Sequence, residues 1–170
     1  MTRASSRSRY YRRGVVREDQ DRSDPSSNHG ADVAHEARIL ELFRFTDPGQ
    51  SVALEVDCSE PLATGGERYY GASVVVESDF VRGRVGLVVA AGDLDAWGLC
   101  LDALHAEERV EWPVADRTAW LEVVPEDPLM VTVHDVPSTQ IAVRMPIDDT
   151  SDWVEENRLR LERIRETVEL

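Results

Sequence analysis

At 170 residues the chain has the length of one domain, too short for two substantial ones and long enough to bury about two-thirds of its unfolded surface. Its 42% hydrophobic and 31% charged residues fit a globular protein, and its longest apolar runs, such as Val85 to Ala91, fall far short of the ~20 residues of a bilayer-crossing helix. With 33 acidic against 19 basic residues the net charge is −14, which sets the folded part against nucleic acid and anionic membranes as partners.

Every basic residue is Arg and none is Lys, a usage that reads as GC-rich codon bias. The charge is uneven: residues 1–30 hold seven Arg and four acids, a balance of +3, while residues 31–170 hold twelve Arg and twenty-nine acids, a balance of −17. Such an excess serves either solubility or the electrostatic steering of a basic partner. Cys58 and Cys100 are too few for a disulfide framework and are expected to be buried free thiols. No apolar segment follows Arg3 to Arg17, and Arg12-Arg13 lacks the stretch of a twin-arginine signal, so the expected compartment is the cytoplasm.

Residues 1–36 are rich in Ser, Arg, Asp and Gly, and we read them as a disordered tail ahead of a single α+β domain at 37–170. A basic arm touching RNA through Tyr10, Tyr11 and the arginines is the sharper alternative, and an over-long gene start would look the same. The first strand begins at Ile39, with Ile39, Glu41, Phe43 and Phe45 on one face and Leu40, Leu42 and Arg44 on the other, before the turn residues Asp47-Pro48-Gly49-Gln50. Val52, Leu54 and Val56 make a second strand and, with the first, a hairpin. Residues from Ser59 to Arg68 read as a loop. A third strand runs through Tyr70, Ala72, Val74 and Val76, and Ser78 to Arg84 form a tight reversal in which Asp79 can bond its own backbone. Val85, Leu87 and Val89 carry a fourth strand.

At Gly92 the period changes. Leu94, Trp97, Leu101 and Leu104 share a helical stripe over about 93–106, with Asp93 and Asp95 in the first turn, where carboxylates oppose the helix dipole. Four more strands follow at Val110 to Trp112, Trp120 to Val124, Leu129 to His134 and Ile141 to Met145, with turn signals at Asp116-Arg117, Glu126-Asp127-Pro128 and Pro137-Ser138, and Pro146 is expected to end the last. The acidic run Asp148 to Asp152 offers caps for a second helix in which Trp153, Val154, Asn157, Leu161, Ile164 and Val168 trace one face. The order ββββαββββα, with hairpin-length turns, predicts an α+β fold: a curved antiparallel sheet or two-sheet sandwich of about eight strands under two amphipathic helices.

Sites of chemistry are sparse. His29, His35, His105 and His134 show no zinc spacing, so no metal ligands are assigned. No phosphate-binding loop or dinucleotide fingerprint is present, and Gly65-Gly66 lies between antiparallel strands, so no cofactor-binding residues are assigned either. His134-Asp135 beside Pro137-Ser138 lacks a nucleophile elbow, and carboxylates such as Glu111 and Glu122 could meet across neighbouring strands without forming a reaction centre, so no catalytic residues are assigned. The tryptophans at 97, 112, 120 and 153 read as core or rim packing rather than a sugar platform.

From Ile39 to about Arg165 the chain resembles a family of small uncharacterised proteins, a domain of unknown function, from GC-rich actinomycete-type bacteria. The resemblance is carried by Phe45-Thr46-Asp47-Pro48, by Ser78-Asp79-Phe80-Val81-Arg82-Gly83-Arg84, by Asp93-Leu94-Asp95-x-Trp97, and by Pro137-Ser138-Thr139-Gln140 before a terminal helix. It implies no activity and hence no catalytic residues. More distantly, the helix Leu94-x-x-Trp97-x-x-x-Leu101-x-x-Leu104 between a hairpin and further strands resembles the plan of WapI-type immunity proteins, which implies neutralisation of a toxin.

The expected function is therefore a non-enzymatic, acidic protein-binding domain, immunity-like in inhibiting a basic protein. Its candidate contacts are Glu107 and Glu108 after the first helix and Asp148, Asp149 and Asp152 before the second. The alternatives are a small enzyme with a cryptic carboxylate or His134 site, and a regulatory or structural accessory protein acting through an exposed strand edge.

Overall fold

The computed structural model describes residues 38–114, 119–135, 138–148 and 151–168; the tail assigned to residues 1–36 and the turn signals at Asp116-Arg117 and Pro137 lie outside them. Within them stand nine strands in two antiparallel sheets and two helices. The first sheet contains β1 (Ile39–Thr46), β2 (Gln50–Asp57), β3 (Leu62–Thr64), β4 (Glu67–Ser78) and β5 (Arg82–Ala90). Helix α1 (Ala91–His105) follows directly. The second sheet is a meander of β6 (Val110–Trp112), β7 (Trp120–Val124), β8 (Leu129–Asp135) and β9 (Ile141–Ile147), and α2 (Trp153–Val168) ends the described chain. The α+β order expected from the sequence holds, in its two-sheet form.

Four local features depart from the sequence reading, each for a physical reason. In β1 the alternation breaks: a bulge between Glu41 and Phe43 lets the adjacent Leu42 and Phe43 both face the core, so Ile39 and Glu41 lie on the outer face instead. Between residues 59 and 68 there is not only a loop but the hairpin β3–β4, turned by Gly65 and Gly66 at φ of 66° and 88°. Its three β3 residues are all exposed, so no buried alternation marks them, and only the paired glycines announce the turn. At the β4–β5 reversal Ser78, not Asp79, holds the backbone: its Oγ accepts from the N–H groups of Phe80 at 3.2 Å and Val81 at 2.9 Å. Pro146 does not end β9, which continues to the buried Ile147 opposite Leu129; on the edge of its sheet a proline's missing N–H is tolerated.

The core lies between the sheets and α1. Phe43 and Trp97 stand with ring centroids 5.0 Å apart, and Trp112 packs 5.6 Å from Trp97. Both tryptophans are fully buried, and Trp112 Nε1 donates to the Asp93 carbonyl at 2.8 Å, tying β6 to the first turn of α1. Leu94, Leu101 and Leu104 complete the α1 stripe.

Helix α2 closes the open side of β1. Asn157 is 0% exposed; its Oδ1 accepts from the Arg44 N–H at 2.8 Å, and its Nδ2 donates to the Arg44 carbonyl at 3.3 Å. A side-chain amide thus takes the place of the next strand's peptide at the edge of the sheet. The β1–β2 turn is tied to the far end of β9: Asp47 accepts from the N–H groups of Gly49, Gln50 and Asp148, and Gln50 Nε2 donates to the Pro146 carbonyl. Desolvation alone would raise the Asp47 pKa, but the bonds donated by Gly49, Asp148 and Gln50 outweigh it and hold the carboxyl below its ordinary 3.8.

Two outcomes are expected. Asn157→Ala strands the Arg44 N–H at a covered edge and should lower the unfolding free energy by about 3 kcal/mol, read from the urea midpoint at unchanged slope. Asp47 has a depressed folded-state pKa, so its stabilisation is complete above the ordinary carboxylate range and is lost as pH falls through the lower folded value. Asp47→Ala should therefore cost up to ~1 kcal/mol at neutral pH, with the deficit shrinking as pH falls below the ordinary carboxylate range in thermal unfolding curves.

Candidate functional site

Of the acidic residues singled out from the sequence, Glu107 and Glu108 follow α1 and Asp152 precedes α2, and the pairing of the helices sets these three towards one end. Arg165 reaches Asp95 at 2.8 Å and Arg158 reaches Asp102 at 2.6 Å, so seven residues forward along α1 match seven residues back along α2. The helices are antiparallel, and the same register carried further places Asp152 at the end where α1 finishes in Glu107 and Glu108. Asp148 lies in the chain entering this region, with its N–H on Asp47; Asp149 lies outside the described residues.

Each acid has a distinct local situation. Asp152 caps α2, its Oδ1 accepting from the Glu155 N–H at 3.3 Å, so part of its role is structural. Glu107 and Glu108 end α1 in a Schellman motif: the Glu108 N–H bonds the Ala103 carbonyl at 2.9 Å and the Glu107 N–H bonds that of Leu104 at 3.1 Å. The motif forces Glu107 to φ of 60°, a left-handed position that glycine occupies without strain. Both glutamates are exposed, and among the described residues neither is joined to a cation.

A second cluster lies on the outer face of the second sheet and joins residues the sequence had suggested separately. Glu111 and Glu122 are directly opposite across β6 and β7, and Trp120 is opposite His134 across β7 and β8. Arg109, which the sequence reading missed, lies between the two carboxylates, 2.6 Å from Glu111 and 2.7 Å from Glu122. Its only sequence signal is its spacing of two from Glu111, which places both on one face of an extended chain. The His134 ring stacks on Trp120 at 3.8 Å and 6°, while its Nε2 lies 3.9 Å from Glu122 Oε2, too far for a hydrogen bond. One guanidinium therefore bridges both carboxylates, leaving one negative charge in excess, and the imidazole has an aromatic face rather than a bonded orienting carboxylate.

The thiols offer little nucleophilicity. Cys58 and Cys100 are free and half-buried rather than buried; desolvation raises both pKa values, at Cys58 against the pull of the Arg38 charge. Among the described residues no three metal-ligating side chains converge, and no helix is long and apolar enough to cross a membrane. The cavities have other linings: about 390 Å³ beside the start of α1 around Tyr70 and Asp93, about 420 Å³ between the helices, and about 220 Å³ between the sheets around Val74, Val85 and Val143.

If Arg109 is what holds Glu111 and Glu122 face to face, Arg109→Met should destabilise the fold by about 1 kcal/mol at low ionic strength, and by less at about 0.5 M salt, where their repulsion is screened. Urea titrations at the two salt concentrations make the comparison.

No curated protein and no solved structure matches this chain. The match that exists is to a family defined by sequence and described only as of unknown function, and it extends over residues 40–169, from the first strand through the second helix. On that match the chain belongs to the Family of unknown function (DUF5959).

Proposed function

We propose that the chain is a non-enzymatic, acidic protein-binding domain whose partner is a basic protein, with immunity-type inhibition of that partner as its specific form. The observation that carries this reading is Glu107. It holds a left-handed backbone position at the end of α1 that glycine would fill without strain, at a cost of ~1 kcal/mol, and it presents an uncompensated carboxylate there. Glu108 follows it, and the helix register sets Asp152, the cap of α2, towards the same end. Among the described residues Arg44, Arg84, Arg109, Arg158, Arg160 and Arg165 are engaged in internal ion pairs, and acids such as these contribute to the −17 balance of residues 31–170. An exposed acidic end of this kind steers a basic partner and gives the encounter its salt dependence.

The test is capture by the tagged full-length chain from native lysate, with Glu107→Arg/Glu108→Arg run beside the wild type. The expected result is a stoichiometric basic protein held at about 50 mM salt, lost at about 500 mM and lost in the double variant. Inhibition of the captured protein's own activity at equimolar ratio would support the immunity-type form. Glu107→Gly separates binding from folding: it should raise stability by about 1 kcal/mol while weakening capture. Binding that ignores both salt and charge reversal would overturn the proposal.

A further inference from the structure

The sheet edges are treated unequally. Helix α2 covers β1 through Asn157, β3 and β6 are only three residues each, and β9 carries Pro146 and Arg144. Strand β5 is different: nine residues long, free of proline, and paired to β4 without a register shift.

Its outward groups follow from Asn157. The N–H and carbonyl of Arg44 point away from β2 to reach that amide, and antiparallel pairs alternate between bonded and unbonded across a sheet. Passing through Arg44/Ala53, Ala53/Val75 and Val75/Arg84, the alternation leaves the N–H and carbonyl groups of Arg84, Gly86 and Val88 directed off the side of β5 away from β4, where no strand pairs among the described residues. Ala90 agrees, since its N–H bonds Asp93 Oδ2 at 2.9 Å instead of β4. Arg84, Gly86 and Val88 are all exposed, and the Arg84 guanidinium is drawn back over the sheet by Glu55 at 2.8 Å. Phe80, at the turn leading into β5, is 95% exposed.

We propose that this edge receives a second copy of the chain, β5 against β5 in antiparallel sense about Gly86, with Arg84 opposite Val88, giving one sheet continuous across a two-fold axis. The charge distribution selects a second copy as the occupant. The first half of β5 carries Arg82 as well as the Arg84 held by Glu55, and beyond its other end stand Glu67 and Asp93 beside Arg68, at the cavity of about 390 Å³ that Gly66, Tyr70, Ala90 and Gly92 also line. Two-fold antiparallel pairing brings Arg82 of each copy to Glu67 and Asp93 of the other. It also carries each exposed Phe80 to the mouth of the partner's cavity. Such a patch is self-complementary, as an isologous interface requires, and the bare Gly86 leaves the centre unobstructed.

The inference stands apart from the acidic-end proposal, which concerns the opposite ends of the helices. It is tested by sedimentation of the full-length chain from about 5 to 500 µM, with amide exchange followed by NMR at both limits. The expected result is a dimer in which the Gly86 and Val88 amides exchange slowly only at high concentration. Gly86→Pro removes an N–H that the isolated fold does not use, and a Cβ at this position meets nothing closer than the Ala72 carbonyl at 4.0 Å. It should weaken the dimer at least about tenfold. Val88→Arg, which sets a cation against the basic half of the partner strand, should do the same and covers the case in which the proline variant fails to fold. A chain that sediments as a monomer throughout, a dimer that persists in a folded variant, or a dimer whose Gly86 and Val88 amides remain fast would overturn the proposal.

Discussion

The hydrogen bonds between the Asn157 amide and the backbone of Arg44 are the constraint on which the rest of the molecule depends. A sheet edge in a half-covered position must have its peptide groups met, and here a helix side chain meets them where a further strand otherwise would. This seats α2 along β1 in a single rotation and at a single height. With Asn157 fixed, Leu161, Ile164 and Val168 face the core, Arg158 reaches Asp102 on α1, and Arg165 reaches Asp95 and the Leu94 carbonyl. The antiparallel helix pair, and with it the meeting of the α1 C-terminus with the α2 N-cap, follows from that one polar contact. The same contact sets the hydrogen-bonding phase of the first sheet out to β5.

The distribution of charge has a similar internal logic. Arginine in this domain is spent chiefly on neutralising its own acids: Arg44 on Glu41, Arg84 on Glu55, Arg109 on two glutamates at once, and Arg160 on both Glu41 and Glu156. Exposed pairs of this kind contribute little to stability one at a time. Their effect on the charge pattern is larger, because they leave the unbalanced negative charge on acids without a cation among the described residues, including Glu107 and Glu108 at the end of α1. On the outer face of the second sheet Arg109 bridges two facing carboxylates and reduces their repulsion, and Trp120 covers His134.

Much of this could be read from the chain. Period-two alternation marked most strands, the stripe Leu94, Trp97, Leu101 and Leu104 marked α1, and the polar Asn157 within the apolar stripe of α2 was visible as an anomaly. What escaped was whatever leaves no periodic trace. The bulge at Leu42 replaces alternation by two adjacent apolar residues, β3 buries nothing, and Pro146 is acceptable only because β9 lies on an edge. The acids at 107, 108, 148 and 152 could be picked out by composition and by their closeness to helix ends, whereas Arg109 could not, since its role exists only once β6 and β7 are side by side.

By itself, then, the sequence determined the local states: which stretches are extended, which are helical, where they turn, and that the domain carries a large negative balance. These depend on neighbours within a few residues, where side-chain period and turn chemistry act directly. The tertiary structure alone decided which strand edges are closed and which is open, which carboxylates find a guanidinium, and that the ends of two helices 45 residues or so apart in the chain present their acids together. Those outcomes hang on contacts such as Asn157 with Arg44, separated by 113 positions, whose geometry is set by packing and has no counterpart in local pattern.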